Sequence, residues 1–159
     1  MTITSTSRLT AWPPRFAIVM SRFNTEVTEG LLHGAISYLK SQDCEPLPTD
    51  VYEAPGAFEI PLIARELART GQYNGVICLG CVIKGDTAHF EFISLGATLG
   101  IQMAGLETGI PITFGILTTY TDEQAIARSR DDAHNKGIEV ATACLETVRT
   151  LSRIRKRES

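Results

Sequence analysis

The run "GVICLGCVI", residues 75–83, carries no charge and no hydroxyl or amide side chain. It is too short to cross a membrane, which takes about 20 apolar residues, and it lacks the alternation of a strand with one face in water. It reads as a strand buried on both faces. That situation arises where helices cover both sides of a parallel sheet, so this one segment already selects an α/β architecture.

The rest of the sequence supplies the partners such a strand needs. A first strand reads in "RFAIVMSRF", residues 15–23, and the stretch after it places Val27, Leu31, Leu32, Ala35, Ile36 and Leu39 at helical spacing. Asn24 and Thr25 have the short polar side chains that cap a helix start. A weaker strand spans Leu47 to Tyr52. "EAPGAFEIP" then turns the chain into a helix with Pro61 as its first residue and Gly71 closing it. After the 75–83 run a long helix ends near Gly109, and "PITFGILTT" is a fourth strand. "TDEQ" is a capping box, with Thr121 as cap and Gln124 reaching back. A last helix runs from about Ile138 to the basic tail. Strands that alternate with helices pair in parallel, which predicts a three-layer αβα sandwich around a four-stranded parallel sheet, with helices on both faces. Residues 1–14, with Trp12, Pro13 and Pro14, read as an extended tail, because proline cannot donate to a ladder. Residues 15–159 read as one domain.

At 159 residues, 43% of them apolar and 21% charged, the chain has the size and balance of a single globular domain. Its net charge of −3 is spread along the sequence, which argues against nucleic-acid or membrane partners. The cations Arg149, Arg153, Arg155, Lys156 and Arg157 read as a solvated helix end that complements the helix dipole. The stretch "MTITSTSRLTAWPP" lacks the apolar core of a secretory signal, so a soluble protein of the cytoplasm is expected. Four scattered cysteines make no disulfide framework. Cys78 and Cys81 form "CLGC" inside an apolar run, whereas a redox pair sits where a helix start lowers the thiol pKa. Zinc would need a second ligand pair. No metal or cofactor is expected.

In parallel α/β sheets ligands bind beyond the carboxyl ends of the strands, where strand order reverses. The segments that matter are therefore "SRFN", "APGAFEIP", "GCVIKGDTAH" and "TTYTDEQ". None holds a G-x-G-x-x-G fingerprint, and Asp86 stands where a P-loop needs its lysine. A flavodoxin-type loop for flavin mononucleotide is a further reading of "SRFNTEVT", but Arg22 and Phe23 stand in its way. "KGDTAH" is more informative. Gly85 lets backbone approach a ligand, and Asp86 and Thr87 precede a helix whose free N–H groups and dipole favour an anion. Asp86 must then cap the helix or face away. His89 falls in the first turn, able to take or give a proton, although a histidine there can equally be structural.

Five segments in order, "SRFN", "APGAFEIP", "GCVIKGDTAHFEFIS", "PITFGILTTYTDEQAIAR" and "NKGIEVA", resemble the lumazine synthase family from about Arg15 to Leu145. Members of that family condense 5-amino-6-(D-ribitylamino)uracil with 3,4-dihydroxy-2-butanone 4-phosphate to 6,7-dimethyl-8-ribityllumazine, phosphate and water. The resemblance implies a flavodoxin-like sheet and a transferase of riboflavin biosynthesis. It implies that Phe23, beside Asn24, stacks on the pyrimidine, that Ala57, Phe58 and Glu59 hold the ribityl chain, and that Cys81, Val82 and Ile83 line the ring pocket. Phe114 would reach that ring from a neighbouring subunit, with Lys136 and Glu139 at the pocket's edge. Gly85, Asp86, Thr87 and Arg128 would take the phosphate, and His89 would carry protons. Taken alone, Glu59 reads as an ordinary charge near a helix start, and Arg128 as the partner of Asp131 or Asp132.

The same resemblance implies a homopentamer, and leaves open a decamer, a sixty-subunit shell and a riboflavin synthase partner. Two departures stand out. Lys84 replaces an arginine common in relatives, and "RSRDDAHNKG" replaces a glycine-rich connection with Arg130, Asp131 and Asp132, a turn that bears on how pentamers pack. A riboflavin or flavin carrier and an inactive shell-forming paralogue are the alternatives on this fold.

Overall fold

A computed structural model of the chain describes residues 11–157. Among them four strands form one sheet: β1 (Phe16–Ser21), β2 (Val51–Ala54), β3 (Gly75–Ile83) and β4 (Ile112–Thr119). All pairs are parallel, in the order β2-β1-β3-β4. Helices α1 (Thr25–Ser41) and α5 (Lys136–Arg157) cover one face, and α2 (Ile60–Arg69) and α3 (His89–Thr108) cover the other. The short α4 (Asp122–Ala127) buries Ala125 in the first core. This is the expected three-layer sandwich. Most of the expected 1–14 tail lies outside the described residues; Trp12, inside them, packs under the Arg149 guanidinium of its own α5.

β3 explains why the layers close. Every residue from Gly75 to Cys81 is buried, with Ile77, Leu79 and Cys81 turned into the α1/α5 core and Val76 and Cys78 into the α2/α3 core. Two apolar faces on one strand need two covering layers. α1 meets this with Val27, Leu31, Ala35 and Leu39, one every fourth residue, all buried. No helix among the described residues is long and apolar enough to cross a membrane.

Several local expectations are corrected. Asn24 stands at the start of α1 in the left-handed region, φ 58°, and makes no side-chain cap; its Nδ2 donates instead to the Cys81 carbonyl at 3.1 Å. Thr25 Oγ1 donates backwards to the Arg22 carbonyl. The last helix starts at Lys136, ahead of Ile138. Pro61 is the second residue of α2, behind a 3-10 turn at Ala57–Glu59. Thr121 does cap α4, accepting from the Gln124 amide, but the Gln124 side chain reaches Tyr120 N–H, one residue further back.

The second strand begins only at Val51, because Asp50 pulls residues 48–50 into a 3-10 turn. Its side chain is 1% exposed and accepts from Arg15 Nη2 (2.6 Å), Tyr73 Oη (2.9 Å) and the Leu47 amide (3.0 Å). Burial alone would raise this carboxyl's pKa. The hydrogen bonds from Arg15, Tyr73 and Leu47 outweigh burial and hold it below its ordinary value. Such a group stabilises the fold fully above the unfolded-state pKa of about 4, and the contribution is lost as pH falls through the lowered folded value. Asp50→Asn should therefore cost about 2 kcal/mol at neutral pH, the worth of a hydrogen bond to a charged group. In urea unfolding the gap between wild type and variant should narrow as pH drops below about 4; a gap independent of pH would show that ionisation of Asp50 does not contribute.

Candidate active site

The order β2-β1-β3-β4 places the reversal between β1 and β3, so the chain leaves their carboxyl ends in opposite directions and a crevice opens there. A cleft of about 370 Å³ occupies that place. Its walls come from three expected segments: Phe23 and Asn24 after β1, Ala57, Phe58 and Glu59 after β2, and Cys81, Val82 and Ile83 at the end of β3. His89, the first residue of α3, closes it. The Asn24 to Cys81 hydrogen bond fixes the β1 loop against β3 and leaves Phe23 68% exposed at the mouth.

Two cleft residues were not expected from the sequence, Gly56 and Ile93. A Cβ on Gly56 would stand 3.1 Å from Glu59 Oε2 and 3.6 Å from the Phe23 ring, so its absence lets the loops approach each other. Gly96 does the same for the Phe58 ring, which a Cβ there would meet at 2.9 Å. Ile93 lies one turn beyond His89 and carries the helix face from the cleft into the core; that spacing is its signal in the sequence.

Residues 84–88 form the loop between β3 and α3. Ala88 holds the N-cap position of α3, so no side chain caps the helix; Thr87 Oγ1 accepts a long bond of 3.4 Å from the His89 amide, and Asp86 is exposed. The space beside Gly85 is open, with nothing within 4 Å of where a Cβ would be. Lys84 Nζ stands 3.3 Å from Glu91 and over the Tyr120 ring, which places a cation at the base of the loop.

Phe114, Arg128, Lys136 and Glu139 are not in the cleft. They line a second cavity of about 250 Å³ along β4, the sheet's edge strand, and the two cavities share no lining residue among the described residues. Arg128 donates from Nη1 to the Gln124 carbonyl at 2.9 Å; the considered partner Asp131 lies 3.8 Å from His33 instead. Lys136 Nζ is 2.6 Å from Glu139 Oε2, and its backbone N–H donates to the Arg128 carbonyl at 2.8 Å. The other expected residues thus fall in two separate cavities of the single chain, while Gly85, Asp86 and Thr87 line neither.

The sequence profile of 6,7-dimethyl-8-ribityllumazine synthase matches residues 13–152. The chain belongs to that family. It is 67% identical over 144 residues to 6,7-dimethyl-8-ribityllumazine synthase 1 of Caulobacter vibrioides, across 91% of this chain and 94% of that protein. The synthase of Nitratidesulfovibrio vulgaris strain Miyazaki F is 45% identical over 140 residues, 88% of this chain and 90% of the relative. That of Salinibacter ruber is 48% identical over 132 residues, 83% and 85%. Membership of the lumazine synthase family thus extends over both halves of the site and the whole sheet.

The cysteine pair belongs to the scaffold. Cys78 faces the α2/α3 core and Cys81 the α1/α5 core, so their side chains leave β3 on opposite sides and cannot bridge. Burial pushes the Cys81 thiol up to about 11 and Cys144 to about 12, and raises Cys78 as well. Among the described residues, no group of three or more His, Cys, Asp and Glu side chains could hold a metal ion. The thiolate is the reactive form, so Cys78, Cys81 and Cys144 should stay unmodified when the native protein meets iodoacetamide near pH 7.5, and label only on denaturation. Rapid native labelling of Cys81, read by mass spectrometry, would show the floor of the cleft to be open.

Proposed function

We propose that this protein condenses 5-amino-6-(D-ribitylamino)uracil with 3,4-dihydroxy-2-butanone 4-phosphate to 6,7-dimethyl-8-ribityllumazine, with release of phosphate and water, at sites completed between neighbouring copies of the chain. The observation that carries this reading, beside family membership, is the assembly of Phe23, Glu59 and His89 in one cleft at the sheet reversal. Phe23 offers an exposed ring for the pyrimidine, where offset stacking adds about 1 kcal/mol beyond burial. Glu59 and the backbone of 57–58 suit the ribityl hydroxyls. The open ground at Gly85 to Thr87, ahead of α3, suits the phosphate dianion.

The reaction then needs little beyond placement. The pyrimidine amine attacks the ketone and water is lost to give an imine; enolisation and loss of phosphate follow; the second amine closes the ring with loss of another water. Holding two reactants together supplies several kcal/mol of the barrier. His89 moves protons at the cleft wall, and Arg128 meets the phosphate with a planar fork that a lysine cannot match.

Arg128 and Phe114 can serve that cleft only if another copy brings its β4 edge to it. Two features favour such an assembly. β4 is an open edge eight residues long. On α3, Phe92, Leu95, Leu99, Met103 and Leu106, spaced three or four apart, are each more than half exposed, an apolar stripe that water covers poorly. A ring of five with a site at each interface is the arrangement we propose, working in the cytoplasm and handing its product to a riboflavin synthase. Whether rings stack further depends on the Arg130–Asp132 turn.

Incubation with both substrates should give the lumazine's absorbance and fluorescence, and sedimentation should find no active monomer. His89→Ala should slow turnover by roughly a hundredfold or less, the usual share of a proton carrier, with measurable activity left. No change at all would make His89 structural. The shared site has its own test. His89→Ala and Arg128→Ala chains reassembled together in equal amounts should recover about a quarter of wild-type activity, since about one interface in four then pairs two intact halves. A mixture no better than its parents would place both residues in the same chain's site.

A further inference from the structure

Asn135 is a buried polar side chain that the reaction does not use. It is 2% exposed and sits between α1, the connector 128–135 and the start of α5. Its Nδ2 lies 3.0 Å from the Gly30 carbonyl, 3.1 Å from that of Ser129 and 2.8 Å from that of Arg130, and its Oδ1 accepts from the Gly137 amide at 2.8 Å. Three acceptors on one side and a donor on the other fix the orientation of the carboxamide. Its two hydrogens serve three carbonyls, so one bond is shared.

The neighbouring sequence makes room for it. Gly30 and Gly34 stand one turn apart on α1; a Cβ on Gly34 would run into the Asn135 carboxamide, and one on Gly30 into the Ser129 carbonyl. Glycine inside a helix is less favourable than alanine, so α1 gives up helix stability to hold this contact. Within 128–136 the buried residues are Ser129 and Asn135, while Arg130 to His134 face water. The segment is closed by the Lys136 amide on the Arg128 carbonyl. Arg128, at one end of this closed turn, and Lys136 with Glu139, at the other, are therefore referenced to the body of the fold through the Asn135 carboxamide.

We infer that Asn135 is a positioning residue for Arg128, setting where its guanidinium stands beside the β4 edge. This rests on the role given to Arg128 above. A displacement of about 1 Å can cost a hundredfold in rate, so the effect should be visible in kinetics and selective for one substrate. Asn135→Ala should raise KM for the butanone phosphate about tenfold or more and leave KM for the pyrimidine within about twofold. In an Arg128→Ala background the same substitution should add little, because residues that act as one unit are not additive. The variant Gly34→Ala/Asn135→Ala fills the space with a methyl and favours the helix, so it separates folding from positioning. It should stay folded, melting below wild type because four backbone groups lose their partner but above Asn135→Ala alone, and still show the raised butanone phosphate KM.

Three results would overturn the inference: equal rises for both substrates, losses that multiply in Arg128→Ala/Asn135→Ala, or normal kinetics in the folded Gly34→Ala/Asn135→Ala protein. The Arg128→Ala single variant reads the underlying assignment separately. Normal use of the butanone phosphate there removes the phosphate role of Arg128 and this inference with it. A defect there combined with any of the three results removes the inference alone.

Discussion

β1 and β3 lie side by side in parallel from Phe16 opposite Gly75 to Met20 opposite Leu79, and both are shielded from water by helices on each face. With this pair in the middle, β2 and β4 can add only on the outside. The chain must therefore leave the carboxyl end of β1 toward one edge and that of β3 toward the other. The cleft is a consequence of that geometry before any catalytic residue is considered. The Asn24 to Cys81 hydrogen bond then spans the two strand ends and sets the aim of Phe23. A left-handed conformation at Asn24, tolerable for this residue type, is the local cost of making that reach.

The same topology leaves β4 on an edge, and under the proposed function the chain would use that edge instead of hiding it. An exposed strand edge beside an apolar helix face is an association hazard in a monomer. Here the edge carries Phe114 and, through α4 and α5, Arg128, Lys136 and Glu139. Covering it with another copy would bury the apolar surface and bring these side chains to a cleft that lacks them. One event would satisfy a stability demand and a chemical one, which is an economical reason for a site to be divided between chains.

What was legible in the sequence was whatever depends on local pattern. The 75–83 run told the number of apolar faces on β3, the spacing of Val27 to Leu39 told the buried side of α1, and Thr121 with Gln124 marked the start of α4. The errors came where a distant partner overrides local preference. Asn24 looks like a cap because its side chain is short and polar, but its carboxamide is turned to donate from Nδ2 to the carbonyl of Cys81, far along the chain. The second strand starts late because Asp50 answers to Arg15 and Tyr73 rather than to the ladder. Asn135 was invisible for the same reason: one of its partners, the Gly30 carbonyl, lies 105 residues away and has no side-chain signature. The grouping of the site residues came from the family resemblance, which also implied that Phe114 reaches the ring from a neighbouring subunit; that Arg128, Lys136 and Glu139 share a cavity with Phe114 came from the folded chain.

The cations of the 84–88 loop and of the β4 cavity share a further property. Lys84 faces Glu91, Lys136 faces Glu139, and Arg128 leans on the Gln124 carbonyl, all on exposed ground. Exposed pairs of this kind are worth well under about 1 kcal/mol each, since water screens them and the long side chains resist being held. They bias a side chain toward one region without locking it. A phosphate dianion in a site closed off from water offers more, because charge-assisted bonds strengthen as the dielectric falls. Under the proposed function, cations so held would be oriented before the substrate arrives and could still be drawn away by it, whereas the buried Asp50 pair, with its carboxylate almost wholly out of water, is committed to the fold. Burial, more than charge, decides which ionic groups of this protein serve stability and which remain free to serve a ligand.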